Sequence, residues 1–234
     1  MNPLLQLREI GQSPWYDYIR RGLMTSGQLN TLIDQDGLMG MTSNPAIFEK
    51  AIAGSTDYDE ELTSLVKQGK GVQAIYETLA IQDIQNAADA LAPVYQASEG
   101  RDGYVSLEVS PHLAFETQAT IDEAMRLWKA VSRKNVMIKV PGTPEGLPAI
   151  EQLLGQGINI NITLLFSVDV YKKVAQAYIK GVTRYVAEGG NPSRIASVAS
   201  FFVSRIDSLV DKKLEEQAKN ETDPGKRKQL EALM

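Results

Sequence analysis

The sequence predicts an α/β fold whose parallel strands form a (β/α)₈ TIM barrel. Short apolar, β-branched segments alternate with amphipathic stretches long enough to be crossover helices, which is typical of a parallel sheet. Polar side chains also recur on one face of several of these strands. Such a face cannot press against apolar helices without a large desolvation cost, so it favours a barrel with a polar interior.

The predicted strands and helices follow one another in regular order. The clearest strands are Gly37–Thr42, Tyr104–Ser110, Val136–Val140, Ile158–Leu164 and Ile195–Phe202. The clearest helices are Val72–Leu91, Ile121–Val131, Leu147–Leu154 and Asp169–Glu188. A further strand candidate begins at Trp15, and Lys212–Met234 is expected to form two solvated helical pieces around a turn. No glycine-rich phosphate loop follows a strand, which weakens the alternative of a nucleotide-binding open sheet.

The polar face of the strands is defined by residues two apart, because such residues point to the same side. The polar positions are Ser106, Glu108, Ser110, Lys139, Asn159, Asn161 and Thr163. Glu108, Lys139 and Thr163 each lie near the C-terminal end of a predicted strand. Functional side chains of β/α barrels cluster at that end.

The composition of the chain excludes several classes of protein. The chain has 234 residues, a net charge of −5 and no cysteine, which predicts one domain over residues 1–234 without thiol chemistry. No basic run predicts nucleic-acid binding, and no signal peptide or stretch of about 18 apolar residues predicts membrane insertion. We expect a cytoplasmic protein.

Lys139 is the main candidate for chemistry, since lysine is seldom buried without a partner or a task. It could attack a carbonyl to form a Schiff base, or it could form a structural ion pair with Glu108; strand alternation alone does not separate these readings. Glu108 could position a water and transfer protons, or serve only as the counter-ion. Thr163 could hold the same water, although a threonine on a strand needs no such role.

Two other residues have competing interpretations. Asp17 would be a proton donor and acceptor if its segment is extended, but the pattern alone favours a carboxylate at a helix start. His112, the only histidine, is more simply a loop residue than a metal ligand, because it has no second histidine or cysteine to accompany it.

The same segments resemble the motifs of the transaldolase family, in the family's order and over nearly the whole chain. The matching segments are S-P-W-Y-D, D-G-L-M-G-M-T-S-N-P-A-I-F, V-S-L-E-V, V-M-I-K-V-P, I-N-I-T-L-L-F-S and S-F-F-V-S-R-I-D. P-W-Y-D and K-V-P-G-T-P-E-G resemble the longer bacterial branch, which includes members fused to a glucose-6-phosphate isomerase domain.

The resemblance implies a class I aldolase-type barrel and a role for each matching residue. Lys139 would form the Schiff base, Asp17 would exchange the proton of the cleaved alcohol, and Glu108 with Thr163 would manage the catalytic water. The implied substrate-binding residues are Asn44, Asn161, Ser200, Phe202 and Arg205, the last for the phosphate. The implied substrates are ketose and aldose phosphates such as sedoheptulose 7-phosphate and glyceraldehyde 3-phosphate. The resemblance implies no metal or organic cofactor and allows a homodimer.

The family barrel has eight strands, whereas the sequence offers six candidates. The expectation is a chain that lacks the last two β/α units, together with a serine and an arginine of the phosphate site. Three functions remain open: transaldolase, a fructose-6-phosphate aldolase-like activity that releases dihydroxyacetone, and a sugar-phosphate-binding barrel without turnover.

Overall fold

The computed structural model describes residues 2–234 and contains one parallel sheet over that range. The strands are β1 (Trp15–Asp17), β2 (Gly40–Thr42), β3 (Tyr104–Glu108), β4 (Val136–Pro141), β5 (Ile160–Leu165) and β6 (Ser197–Phe201). They lie side by side in chain order, and every neighbouring pair is parallel. The prediction of a TIM-barrel fold with six strands is therefore confirmed.

Helices connect the strands along the outside of the sheet. They are α1 (Pro3–Glu9), α2 (Arg21–Thr25), α3 (Gln28–Asp36), α4 (Pro45–Ala53), α5 (Asp59–Lys67), α6 (Val72–Ala97), α7 (Thr117–Val131), α8 (Gly146–Gly155), α9 (Val168–Ala187), α10 (Val203–Asn220) and α11 (Pro224–Glu231). Single 3₁₀ turns cover Pro111–Leu113 and Pro192–Arg194. None of the helices in residues 2–234 has the length and apolarity needed to span a bilayer.

The hydrophobic core lies between the sheet and its helices, as the alternation predicted. On β4, Val136, Ile138 and Val140 are fully buried within this core. The opposite face of the strand carries Lys139, which is also buried but against polar groups. Apolar side chains thus point outward to the helices, and polar side chains point to the barrel interior.

Several predicted boundaries change. The strand predicted to begin at Gly37 begins at Gly40, because Gly37 adopts φ +67° and ends α3 in a left-handed turn. The helix predicted to end at Leu91 continues to Ala97 despite Pro93. The two helical pieces expected within Lys212–Met234 are present as the end of α10 and as α11, which Asp223 caps.

Asp17 lies on a strand. The interpretation of this carboxylate as a helix-start residue is wrong, because the segment is extended and pairs with β2, with Asp17 opposite Thr42. The following helix, α2, begins only at Arg21. A segment of three residues is too short for alternation to reveal its extended conformation.

Candidate active site

Lys139 is buried in the barrel interior, with 6% of its surface exposed. Its Nζ lies 3.1 Å from Oε2 of Glu108 and donates a hydrogen bond to the backbone carbonyl of Ser43 at 2.9 Å. The strand register places Glu108, Lys139 and Asn161 side by side on β3, β4 and β5. One row of the interior therefore presents a carboxylate, an amine and an amide to the same space.

Both ends of the Asn161 amide form hydrogen bonds, one to a residue of β3 and the other to a residue of β6. Its Nδ2 donates to the hydroxyl of Ser106 at 2.9 Å, and its Oδ1 accepts from the hydroxyl of Ser200 at 2.8 Å. Ser43 extends the network by donating its own hydroxyl to the carbonyl of Ser106 at 2.7 Å. Polar contacts thus run from the end of β2 to β6 and fix the side chains around Lys139.

Thr163 lies beside an irregularity in β5. Between Ile162 and Leu165, β5 contains one more residue than the facing part of β6, which is a β-bulge. Leu164 takes the extra position with φ +62°, a conformation that leucine rarely adopts. Thr163 is buried, and its carbonyl accepts the N–H of Gly142, which follows β4. The bulge places Thr163 at the end of the strand next to the Lys139 strand.

Asn44 follows β2 and begins α4. Its side-chain oxygen accepts the backbone N–H of Ile47 at 2.9 Å, so Asn44 is the N-cap of that helix. Capping uses Oδ1 and leaves the Nδ2 group of the amide for another partner. Asp17, at the end of β1, is exposed and faces solvent at the edge of the sheet.

Phe202 and Arg205 lie together after β6. The guanidinium carbon of Arg205 is 4.5 Å from the centroid of the Phe202 ring, a cation–π contact. Phe166, which follows β5, packs beside Phe202 with 5.3 Å between the ring centroids. Within residues 2–234, Arg205 forms no ion pair with a carboxylate.

A cavity of about 360 Å³ opens next to Glu108, between the first half of α6 and the middle of α7. Tyr76 lines it, and burial followed by the negative charge of Glu108 raises the pKa of Tyr76 from 10.0 to about 12. His112 is part of the same rim, on the 3₁₀ turn after β3. The Tyr76 hydroxyl therefore keeps its proton to a more alkaline pH than an exposed tyrosine would.

The next question is whether residues 2–234 contain a group of side chains that could bind a metal ion. Across the part of the chain that the structure describes, no three or more histidine, aspartate or glutamate side chains form a group that could hold an ion. Amine, carboxylate, amide and hydroxyl groups remain, which is a set suited to covalent carbonyl chemistry and proton transfer.

The structure brings four of the predicted site residues together. Glu108, Lys139 and Asn161 lie side by side in one row of the barrel interior, and Ser200 donates a hydrogen bond to Asn161. The structure adds three residues that the sequence did not single out for a role. These are Ser43, Ser106 and Phe166. Ser106 was visible as a polar position on the strand of Glu108, whereas the Ser43 contact uses a backbone carbonyl, which leaves no trace in side-chain patterns.

Comparisons with known proteins identify the family to which the chain is similar. A family model described as "Transaldolase/Fructose-6-phosphate aldolase" matches residues 14–232. A transaldolase of Trichodesmium erythraeum is 49% identical over 232 residues, which is 99% of this chain and 61% of the relative. A transaldolase 2 of Nostoc sp. is 52% identical over 92% of this chain and 56% of the relative, and a transaldolase of Mycobacterium marinum is 46% identical over 92% and 58%. The chain spans about three fifths of the length of these relatives.

Proposed function

Because this chain belongs to the transaldolase/fructose-6-phosphate aldolase family, we propose that it transfers a dihydroxyacetone unit from a ketose phosphate to an aldose phosphate. The donor is sedoheptulose 7-phosphate or fructose 6-phosphate. The observation that carries the proposal is the buried Lys139 amine, in one row with Glu108 and Asn161.

The first step is attack by the neutral Lys139 amine on the ketone carbon of the donor. The resulting carbinolamine loses its hydroxyl group as water, and a protonated imine forms. Glu108 first accepts the proton of the Lys139 ammonium, which frees the amine for attack, and later donates it to the carbinolamine hydroxyl; that hydroxyl leaves as water, which Thr163 holds. The Glu108 carboxylate suits the task because its Oε2 is already 3.1 Å from the Lys139 Nζ.

The second step breaks a carbon–carbon bond. The scissile bond joins a carbon next to the imine carbon to a second carbon that carries a hydroxyl group. Asp17 takes the proton of that hydroxyl, and the second carbon becomes the aldehyde of the departing aldose phosphate. The bonding electron pair moves into the protonated imine, which becomes an enamine. The acceptor aldehyde then reacts with the enamine by the reverse sequence, and water releases the new ketose phosphate from Lys139.

Substrate binding is assigned to the neighbouring polar groups. Asn161 and Ser200 exchange their mutual hydrogen bond at 2.8 Å for bonds to the hydroxyls of the dihydroxyacetone unit, together with the free Nδ2 of Asn44. Phe202 forms a wall of the site, and the exposed guanidinium of Arg205 contacts the phosphate.

Borohydride reduction in the presence of fructose 6-phosphate tests the proposal. The expected result is a stable secondary amine on the peptide that contains Lys139, and no adduct in a Lys139→Ala variant that remains folded. Lys180, a mostly exposed lysine on α9, gives the matched control: Lys180→Ala should retain the adduct. An adduct on a different lysine, or none at all with wild-type protein, would refute the Schiff-base mechanism.

The description of the family model covers a second reaction, aldol cleavage that releases free dihydroxyacetone. In that case the enamine is protonated and hydrolysed before an acceptor aldehyde arrives. Incubation with fructose 6-phosphate alone separates the two reactions: transfer gives at most one released aldose phosphate per site, whereas aldolase cleavage gives continuous release. Binding of the sugar phosphate without any imine would instead indicate a non-catalytic barrel.

A homodimer and a cytoplasmic location are also proposals, and both rest on family membership. Sedimentation of the purified protein tests the first. Fractionation of the source cells tests the second.

A further inference from the structure

Asp17 is the last residue of a short strand. Its strand, β1, contains only three residues and pairs with β2, with Asp17 opposite Thr42. A proton-transfer group needs a fixed position, since displacement by about 1 Å can cost about 100-fold in rate.

The chain is anchored immediately after Asp17. Ile19 is fully buried in the core, and Arg21 begins the short helix α2. The Arg21 Nε donates to Oδ1 of Asp83 on α6 at 3.0 Å, while the Tyr58 hydroxyl donates to the other oxygen, Oδ2, at 2.7 Å. Asp83 has no solvent exposure, and both of its oxygens are therefore occupied by these two donors.

The same loop also caps α2. Arg20, at the N-cap position, offers no side-chain cap. Instead, the first-turn N–H of Arg21 donates to the Tyr58 hydroxyl at 2.9 Å, and that of Gly22 donates to Oδ2 of Asp57 at 2.9 Å. Residues 57 and 58, just before α5, thus supply the caps that the local sequence lacks.

Tyr58 contacts both Arg21 and Asp83. Its hydroxyl accepts from Arg21 and donates to Asp83, and its ring lies 4.8 Å below the Arg21 guanidinium. Burial raises the pKa of Tyr58, and the charge of Asp83 raises it further. The hydroxyl consequently keeps its proton, and with it the bond to Asp83, to a more alkaline pH than an exposed tyrosine would.

We propose that Arg21, Tyr58 and Asp83 are positioning residues that fix Asp17 for carbon–carbon bond cleavage. They hold the chain four residues after Asp17 and so set where β1 ends. This inference rests on the proposed function, in which Asp17 takes the proton of the cleaved alcohol. Formation of the imine on Lys139 does not use Asp17, so loss of the cluster should slow cleavage and spare imine formation.

Borohydride trapping during the first turnover of fructose 6-phosphate separates the two steps. Reduction before cleavage leaves a six-carbon phosphorylated adduct on Lys139, and reduction after cleavage leaves a three-carbon adduct without phosphate. Peptide mass spectrometry distinguishes them. In Tyr58→Phe and Asp83→Asn we expect the ratio of six-carbon to three-carbon adduct to rise about 10- to 100-fold over wild type, with an unchanged rate of total adduct formation.

Asp89→Asn is the matched control, because Asp89 is also a carboxylate of α6 paired with an arginine, Arg133, but it is mostly exposed. It should keep the wild-type ratio. Tyr58→Phe retains the buried ring and should remain folded; if thermal melting shows that it does not, Arg21→Lys replaces it, since a single ammonium cannot reproduce the branched contacts of the guanidinium.

Two outcomes would overturn the inference in distinct ways. If wild-type protein forms no adduct, the proposed function itself fails. If wild type forms both adducts and the folded variants lose them in parallel, or keep the wild-type ratio, the cluster only stabilises the fold and does not position Asp17.

Discussion

Oε2 of Glu108 lies 3.1 Å from Nζ of Lys139, across two neighbouring parallel strands and in register. The structural interpretation of Lys139 as half of an ion pair is thus realised, yet it does not exclude the catalytic one. A carboxylate at this distance holds the amine in place and is also within reach to exchange protons with a carbinolamine. The pair can both stabilise the fold and take part in catalysis. Measurements of stability report on the first role, and measurements of activity report on the second.

Replacing Lys139 with methionine should lower the free energy of unfolding by about 1–3 kcal/mol, because it leaves the Glu108 carboxylate mostly buried without its cation. Adding Glu108→Gln should recover part of this loss, since a neutral amide is cheaper to desolvate. Urea denaturation of the two single variants and the double variant measures the coupling.

Lys172 provides the control for this cycle, because its pair with Asp169 is largely exposed. Lys172→Met should change stability by less than about 0.5 kcal/mol. Equal losses at Lys139 and Lys172 would mean that burial of the first pair has no energetic consequence.

Ser106→Ala should weaken donor binding about fivefold. The substitution removes the acceptor of the Asn161 Nδ2 group, which then loses its fixed orientation at a cost of about 1 kcal/mol. The expected readout is a higher KM for fructose 6-phosphate. Ser197→Ala on β6, whose hydroxyl donates to the Ile160 carbonyl at 2.8 Å, should leave KM unchanged.

Leu164 allows a prediction whose sign is unusual. At an ordinary strand position, a protein with glycine is less stable than one with alanine. At φ +62°, however, alanine keeps the backbone strain of the left-handed conformation, whereas glycine adopts this conformation without strain. Leu164→Gly should therefore be more stable than Leu164→Ala by about 1 kcal/mol in thermal or urea unfolding. The opposite order would show that the bulge does not persist in solution.

The alkaline stability of the protein should depend on buried tyrosines. Burial, with added negative charge from Glu108, raises the pKa of Tyr76 from 10.0 to about 12. Because the folded value exceeds the unfolded one, the stabilisation is complete below about pH 10 and is lost as pH rises through 12, by at most about 1.4 kcal/mol per pH unit. Tyr76→Phe should flatten that decline.

Glu108→Gln tests the electrostatic part of this effect. Removing the charge should lower the pKa of Tyr76, because only burial then opposes ionisation. Titration of tyrosinate absorbance in the variant and wild type measures the difference. An unchanged titration would mean that the Glu108 charge does not reach Tyr76.

The sequence predicted the parts of this molecule that depend on side-chain pattern. Alternation placed Lys139 in a polar interior and Val136 in the core, and both placements are correct. It offered a pair between Lys139 and Glu108 as one possibility, but it could not fix which interior residues share a row, because register depends on how neighbouring strands are staggered. The row of Glu108, Lys139 and Asn161 therefore became visible only in the structure.

Two further features lay beyond sequence patterns for physical reasons. The contact between Lys139 and Ser43 uses a backbone carbonyl 96 residues away in the chain, which any residue could supply. The bulge at Leu164 is imposed by pairing with β6, since leucine has no preference for a left-handed conformation. Local propensity was overridden by the sheet in this case.

Arg205→Met should raise the KM for fructose 6-phosphate by at least about tenfold, because the guanidinium next to Phe202 is the proposed phosphate contact and charge-assisted hydrogen bonds contribute about 1.5–3 kcal/mol. Arg205→Lys should recover only part of the affinity, since an ammonium cannot bind two phosphate oxygens side by side. Arg194→Met, an exposed arginine at the other end of β6, is the matched control and should not change KM. The KM for unphosphorylated fructose should be the same in all variants, because that sugar makes no phosphate contact. An equal rise in KM for both sugars would place Arg205 in the wall of the site and leave the phosphate to another group.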